Sequence, residues 1–211
     1  MKFNLIITGV GGQGILTLGR IIAEAALLQG YDVKTSELHG LSQRGGYTEM
    51  HVRFGDKIHS PLVMQMDADL IISLELLESL RACQYGNKEK TIFLINNFKF
   101  PSISVYLKKI TYPTIEKIKE ILGKFSLKFE IVNATEIVKK KGTSPVLSNI
   151  YLFGHAVKQK YLPIEKENAL KALEKIIGLK KAELVLINKQ IFEEAFKSIY
   201  RENFNNLPDK F

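Results

Sequence analysis

The chain has 211 residues, 45% of them hydrophobic, and carries 30 Lys and Arg against 22 Asp and Glu, a net charge of +8. That length and apolar content support one domain with one sizeable core. A single cysteine, Cys83, excludes an internal disulfide and any cysteine-ligated cluster built from this chain alone.

In chain order, "FNLIIT" at residues 3–8 is predicted as a buried strand and residues 15–29 as a helix. Leu18, Ile21, Ile22, Ala25 and Leu28 follow helical spacing, with Arg20 and Glu24 one turn apart. "YDVKTSEL" then reads as a second strand reached by a crossover, an opening that argues for a right-handed parallel sheet covered by helices. In "YTEMHVRF", Thr48, Met50, Val52 and Phe54 alternate with Tyr47, Glu49, His51 and Arg53, the pattern of a half-buried strand. "GDK" at 55–57 turns the chain into "IHSPLV", which predicts an antiparallel hairpin interrupting the parallel pattern.

"ADLIISL", "TIFLINN" and "KFEIVNA" read as further strands, separated by helices near 75–85 and 113–124. Asn133, in "NAT", is read as a helix start, and "KKK" at 139–141 before Gly142 as cations at a helix end with a glycine cap. Residues 145–157 form a helix apolar around most of its circumference, with Ser144 as N-cap and Pro145 at its first position. Two amphipathic helices, at 164–177 and 180–200, precede an aperiodic tail. The predicted fold is α/β: a Rossmann-like three-layer arrangement with a mainly parallel sheet, an inserted antiparallel hairpin and C-terminal helices, in one domain over 1–211.

No stretch approaches the roughly 20 apolar residues of a membrane span, and the first apolar run stops at glycines without a small-residue cleavage site. The expectation is a soluble, cytoplasmic protein without a membrane partner. Residues 1–100 are balanced in charge, so the basic surplus lies in the second half. There the lysines interleave with glutamates at helical spacing, as on solvated helix faces, and no nucleic-acid-binding motif accompanies them.

The glycines at 9, 11 and 14 fit G-x-G-x-x-G between a strand and a helix. Gly9 permits a tight turn, Gly11 and Gly12 let backbone approach a ligand, and N–H groups at the helix start attract an anion. Glu37 stands about where a dinucleotide fold places its ribose acid, whereas the extra Gly12, Gln13 and the hairpin depart from that pattern. On these residues a phosphate ligand and a purely structural turn stand as alternatives. The second dense stretch, "ELHGLSQRGG" at 37–46, offers His39 and Arg44 among glycines. Arg44 suits a phosphate or carboxylate clamp, a subunit contact, or plain solvation.

No C-x-x-C repeat, Walker loop, nucleophile elbow or zinc helix is present. His51, His59 and His155 lack metal-set spacing, and Asn149 and His155 read as satisfied core polar groups.

Taken together, "GVGGQGILTLGRIIAEAALLQGYDV", "ELHGLSQRGG", an alternating strand, "HSPLV", "DADLIISLELLESLR" and "LINN" resemble the gamma-type domain of the 2-oxoacid:ferredoxin oxidoreductases. Within that family the resemblance is to the indolepyruvate branch, from Lys2 to about Tyr200. It implies a complex that oxidatively decarboxylates a 2-oxoacid, here an aryl pyruvate such as indolepyruvate, with coenzyme A to give acyl-CoA, carbon dioxide and reduced ferredoxin. It places thiamine diphosphate, its Mg and the [4Fe-4S] clusters on a partner alpha subunit, with ferredoxin as electron acceptor.

The family's glycine motif maps onto Gly9, Gly11, Gly12, Gln13 and Gly14, and its second motif onto His39, Gly40, Gln43, Arg44, Gly45 and Gly46. The resemblance implies one rim that faces the partner's thiamine site or holds the diphosphate arm of coenzyme A, and no catalytic residue or metal ligand in this chain. The gamma subunit of a pyruvate, 2-oxoglutarate or branched-chain oxidoreductase, a free-standing NAD-binding protein, and an assembly factor with structural glycines are the alternatives. As a required subunit, the isolated chain is expected to expose an apolar patch and associate with itself.

Overall fold

The computed structural model describes residues 1–39, 45–102, 105, 107, 111–179 and 182–197. Its strands are β1 (Lys2–Val10), β2 (Asp32–His39), β3 (Tyr47–Gly55), β4 (Leu70–Ser73), β5 (Ile92–Asn96) and β6 (Lys128–Val132), joined in one sheet in the order β2-β3-β1-β4-β5-β6. β1, β4, β5 and β6 are parallel, and β3 runs antiparallel to both β1 and β2. The helices are α1 (Ile15–Leu28), α2 (Leu76–Arg81), α3 (Ile115–Phe125), α4 (Ala134–Lys140), α5 (Ser148–Lys158), α6 (Lys166–Gly178) and α7 (Val185–Lys197).

Strand alternation sorts the core into two layers. Leu5, Ile7, Leu70, Ile72 and Leu94 point to the face covered by α1 and α4 to α7. Ile6, Ile71, Phe93 and Ile95 point to the other, where Leu76 of α2 and Ile118 and Leu122 of α3 meet them. The three-layer α/β arrangement predicted from the sequence is thus present. At Gly154, α5 closes directly on α7, because a Cβ there would collide with the Phe192 carbonyl oxygen and lie 3.0 Å from the Ala195 Cβ. None of the helices formed by the described residues is long and apolar enough to cross a membrane.

Several local expectations are corrected. The crossover through α1 does not deliver β2 beside β1; it skips a place, and β3 fills it. The antiparallel arms are therefore β2, β3 and β1, and the "IHSPLV" segment adds no strand. Side chains occupy its backbone instead of a ladder. Asp32 accepts from the Ile58 N–H (2.8 Å), His51 Nδ1 from the Val63 N–H (2.9 Å), and Arg53 donates to the Ser60 and Leu62 carbonyls (2.8 and 3.1 Å). Pro61, which has no N–H to donate, falls in the middle.

Arg20 pairs across to Glu37 (3.4 Å), while its helical neighbour Glu24 pairs with Lys175 of α6 (2.7 Å). Asn133 precedes α4 without capping it through its side chain, which accepts from Asn97 Nδ2 (2.7 Å). Ser144 and Pro145 open a short 3-10 turn, Pro145–Leu147, and α5 begins only at Ser148. The last predicted helix is a 3-10 turn, Ala182–Leu184, followed by α7. Gly142, in the left-handed region at φ 70°, ends α4 as expected, its N–H bonding the Lys139 carbonyl (2.9 Å).

Candidate functional site

The parallel strands end along one edge of the sheet, which is where open α/β sheets present their ligand sites. The first feature there is the glycine turn between β1 and α1. Gly12 and Gly14 have φ of 105° and 78°, left-handed values that favour glycine, and Gly14 is the N-cap of α1. As a glycine, that N-cap has no side chain with which to cap the helix.

Gln13 explains how the turn is held. Its side chain folds inward, Oε1 accepting from the Val10 N–H (2.8 Å) and Nε2 donating to the Leu74 carbonyl at the end of β4 (3.1 Å). A Cβ at Gly9 would stand 2.6 Å from Gln13 Oε1, so the glycine at 9 makes room for the glutamine. From the far side, Asn149 of α5 donates Nδ2 to the carbonyls of Gln13 and Gly14 (3.3 and 3.2 Å). A side chain at Gly14 would run into that amide.

The two glycine stretches meet. The Gly11 N–H donates to the Gly46 carbonyl (2.8 Å) and the Gly45 N–H to the Gly11 carbonyl (3.3 Å). His39 ends β2, its Cα paired with Thr48 of β3. Gly40, Gln43 and Arg44 lie outside the described residues. The Gly12 N–H is exposed and takes no acceptor among the described residues.

Beside the turn opens a cavity of about 230 Å³, walled by Gly11, Gly12 and Gln13 on one side and by Phe98, Phe100, Pro145 and Val146 on others. Phe98 and Phe100 lie almost parallel, with centroids 6.1 Å apart and planes 14° from one another. Apolar walls with a few backbone donors are the ordinary makeup of a small-molecule site. A volume of this size has room for one ring-sized group.

Two buried histidines elsewhere are tied to carboxylates. On β3, Glu49 accepts from His51 Nε2 (2.8 Å), from the Tyr85 hydroxyl (2.8 Å) and from the Tyr47 hydroxyl. Because His51 Nδ1 takes the Val63 N–H, Nε2 must carry the proton, and the histidine is a neutral structural link. Burial works to raise the Glu49 carboxyl, but these hydrogen bonds outweigh it and hold the group below the usual carboxylate range. His155 is tied likewise to Glu130 of β6 (2.8 Å). Burial pushes the Cys83 thiol up to about 12, which leaves it inert as a nucleophile. Among the described residues, no group of three or more His, Cys, Asp or Glu side chains is placed to hold a metal ion.

Residues 4–198 match the model of the family described as pyruvate ferredoxin/flavodoxin oxidoreductase. The chain belongs to that family. It is 37% identical over 208 residues to indolepyruvate oxidoreductase subunit IorB of Archaeoglobus fulgidus, covering 99% of this chain and 98% of the relative. Among solved structures it resembles a keto/oxoacid ferredoxin oxidoreductase gamma subunit from Geobacter sulfurreducens, with a TM-score of 0.63, 20% identity, and 92% and 96% of the two chains covered. It also resembles part of a 2-oxoglutarate:ferredoxin oxidoreductase from Magnetococcus marinus solved with 2-oxoglutarate, coenzyme A and succinyl-CoA bound. That match has a TM-score of 0.70 and 16% identity, and it covers 93% of this chain and 30% of the other.

In this oxidoreductase domain, Gly9, Gly11, Gly12, Gln13, Gly14, Gly45 and Gly46 come together at one edge. Glu37 does not join them as a ribose acid. It pairs with Arg20, and β3 separates its strand from β1, which removes the strand adjacency that a dinucleotide site requires. Sequence reasoning missed Phe98 and Phe100, and it placed Asn149 in the core without its bonds to the glycine turn. For the aromatic pair a signal existed: "NNFKF" repeats an aromatic at a spacing of two just past a strand's carboxyl end.

Proposed function

We propose that this chain is the beta subunit of an indolepyruvate:ferredoxin oxidoreductase, the subunit that holds neither clusters nor thiamine diphosphate. The complex decarboxylates an aryl 2-oxoacid and transfers the acyl group to the thiol of coenzyme A. The products are acyl-CoA, carbon dioxide and a proton, and two electrons pass singly to two ferredoxins. The full-length likeness to the Archaeoglobus subunit carries the substrate assignment. With one cysteine, the chain cannot itself supply a four-cysteine cluster; in this reading the clusters, thiamine diphosphate and Mg are the alpha subunit's.

The chain's own contribution is the rim. Gly11 and Gly12 bring bare backbone to the cavity mouth, the start of α1 adds the positive end of its dipole, and Arg44 follows in the adjoining stretch of sequence. A diphosphate placed there meets the Gly12 N–H, while an attached ring or arm meets the Phe98–Phe100 wall. Coenzyme A has both parts, and the structurally similar Magnetococcus enzyme was solved with it bound.

The test is co-expression with the alpha subunit and an assay of viologen or ferredoxin reduction that depends on indolepyruvate and coenzyme A. Activity should require both chains and favour indolepyruvate over pyruvate, 2-oxoglutarate and branched-chain oxoacids. Arg44→Ala should raise KM for coenzyme A while the complex still assembles. Preference for another oxoacid would move the chain to a sister branch. An isolated monomer stabilised by NAD but not by coenzyme A would overturn the reading.

A further inference from the structure

The cavity's aromatic wall belongs to a loop that leaves β5, and what fixes that loop is a buried carboxylate. Glu75, fully buried, stands at the N-cap of α2, where one oxygen accepts from the Glu78 N–H (2.9 Å). Its other oxygen accepts from the Phe100 N–H (3.0 Å) and from the Tyr112 hydroxyl. Next to it, the Leu76 N–H donates to the Phe98 carbonyl (3.1 Å). The loop is therefore fastened to the start of α2 at both aromatic residues.

The proton directions are determined. Tyr112 already accepts the Leu77 N–H at its oxygen (3.1 Å), so its own proton points at Glu75. All three groups around Glu75 are then donors, and both carboxylate oxygens are needed as acceptors. Helix capping alone uses one oxygen. The second is committed to the wall.

We propose that Glu75 is a positioning residue for coenzyme A, acting through Phe98 and Phe100: it holds the aromatic wall at the distance from the glycine turn that the bound ligand requires. This rests on the reading that the cavity takes part of coenzyme A. Glu75 lies beneath the wall and touches no ligand, so its effect is on KM for coenzyme A and not on the chemical step.

The experiment uses the assembled two-subunit complex with steady-state kinetics in both substrates. Phe100→Ala tests the cavity, and Glu75→Asp tests the positioning. Aspartate is a favoured N-cap and keeps α2 closed, but it is one methylene too short to reach Phe100 and Tyr112 as well. Glu75→Asp should raise KM for coenzyme A about ten-fold, the scale of one lost hydrogen bond to a charged group, with kcat and the oxoacid KM within about two-fold. Tyr112→Phe, which removes one donor and leaves the Phe100 bond, should move the same constant by a smaller factor. The double variant Glu75→Asp, Phe100→Ala should be no worse than Phe100→Ala alone, since the two act through one contact.

If Phe100→Ala raises KM for coenzyme A while Glu75→Asp and Tyr112→Phe do not, the positioning role is overturned and the cavity reading stands. If Phe100→Ala leaves that KM unchanged, the cavity reading falls and the positioning role with it. A loss in kcat alone from Glu75→Asp would also overturn the proposal.

Discussion

Replacing Gln13 by alanine isolates the turn's internal fastening from its ligand chemistry. The side chain makes two hydrogen bonds, to the Val10 N–H (2.8 Å) and the Leu74 carbonyl (3.1 Å). Their loss is unequal. Leu74 keeps a second donor, Asn96 Nδ2 (3.3 Å), so that side forfeits about 1 kcal/mol. Val10 is fully buried, and its N–H is left without an acceptor at a cost of about 1–3 kcal/mol. The sum is a destabilisation of about 2–4 kcal/mol, which for a chain of this size lowers Tm by roughly 4–16 °C. Gln13→Glu keeps the acceptor but sets an anionic oxygen against the Leu74 carbonyl, and it should be no better than alanine. Urea unfolding and calorimetry of wild type and both variants measure this. An alanine variant within about 0.5 kcal/mol of wild type would refute the inward role of the glutamine.

Other consequences can be checked on the same footing. Gly14→Ala meets both a left-handed backbone and the Asn149 amide, whereas Gly12→Ala meets open space. Both strain the backbone by about 1–2 kcal/mol, but Gly14→Ala should cost clearly more by urea midpoint. Gly154→Ala should lose about 1–3 kcal/mol as α5 is pushed off α7, again read by urea unfolding. Burial lifts the Glu78 carboxyl from its ordinary 4.5 to about 7, the Arg81 guanidinium working against this and the Glu75 carboxylate with it. Between those pH values the unfolded chain has released a proton that the folded chain keeps, so this group's contribution falls as pH rises from about 4.5 to 7. The fall is roughly 3 kcal/mol and levels off above. Glu78→Gln should flatten the loss of stability between pH 5 and pH 8 relative to wild type, and parallel profiles for the two proteins would exclude the effect.

Where one residue's environment is local, the sequence announces it. The run into β1, the helical spacing of α1 and the glycine cap of α4 depend on neighbours within a few positions, and they appear in the structure as read. The place of β3 does not. Alternation in "YTEMHVRF" makes a strand, but which strands flank it is settled by pairing with residues far away in sequence. "IHSPLV" fails for a related reason. Its apolar ends are buried like a strand's, yet Asp32, His51 and Arg53 satisfy its backbone, and their convergence has no local signature. Asn149 is the clearest case. Its type and apolar surroundings announce a core polar group, which it is, but not that its partners are the glycine turn 135 residues earlier.

The glycine motif itself shows why counting glycines does not separate a dinucleotide loop from this one. Gly9 is glycine because Gln13 needs the room, and Gly14 because α1 starts there in a left-handed conformation under Asn149. Gly11 spends its N–H and carbonyl on the second glycine stretch. Three of the four glycines therefore answer to the protein's own packing, and Gly12 is the exposed one, with open space around it. A dinucleotide loop needs its pyrophosphate contacts and, one strand away, an acid for the ribose. Here Gln13 ties the turn to β4, the neighbouring place in the sheet belongs to β3, and the acid is paired with Arg20. What the turn retains is an exposed donor at a helix start beside an apolar cavity. On the function proposed above, that combination suits a ligand with a phosphate at one end of a ring or arm, and the departure from the NAD pattern lies in the residues between the glycines.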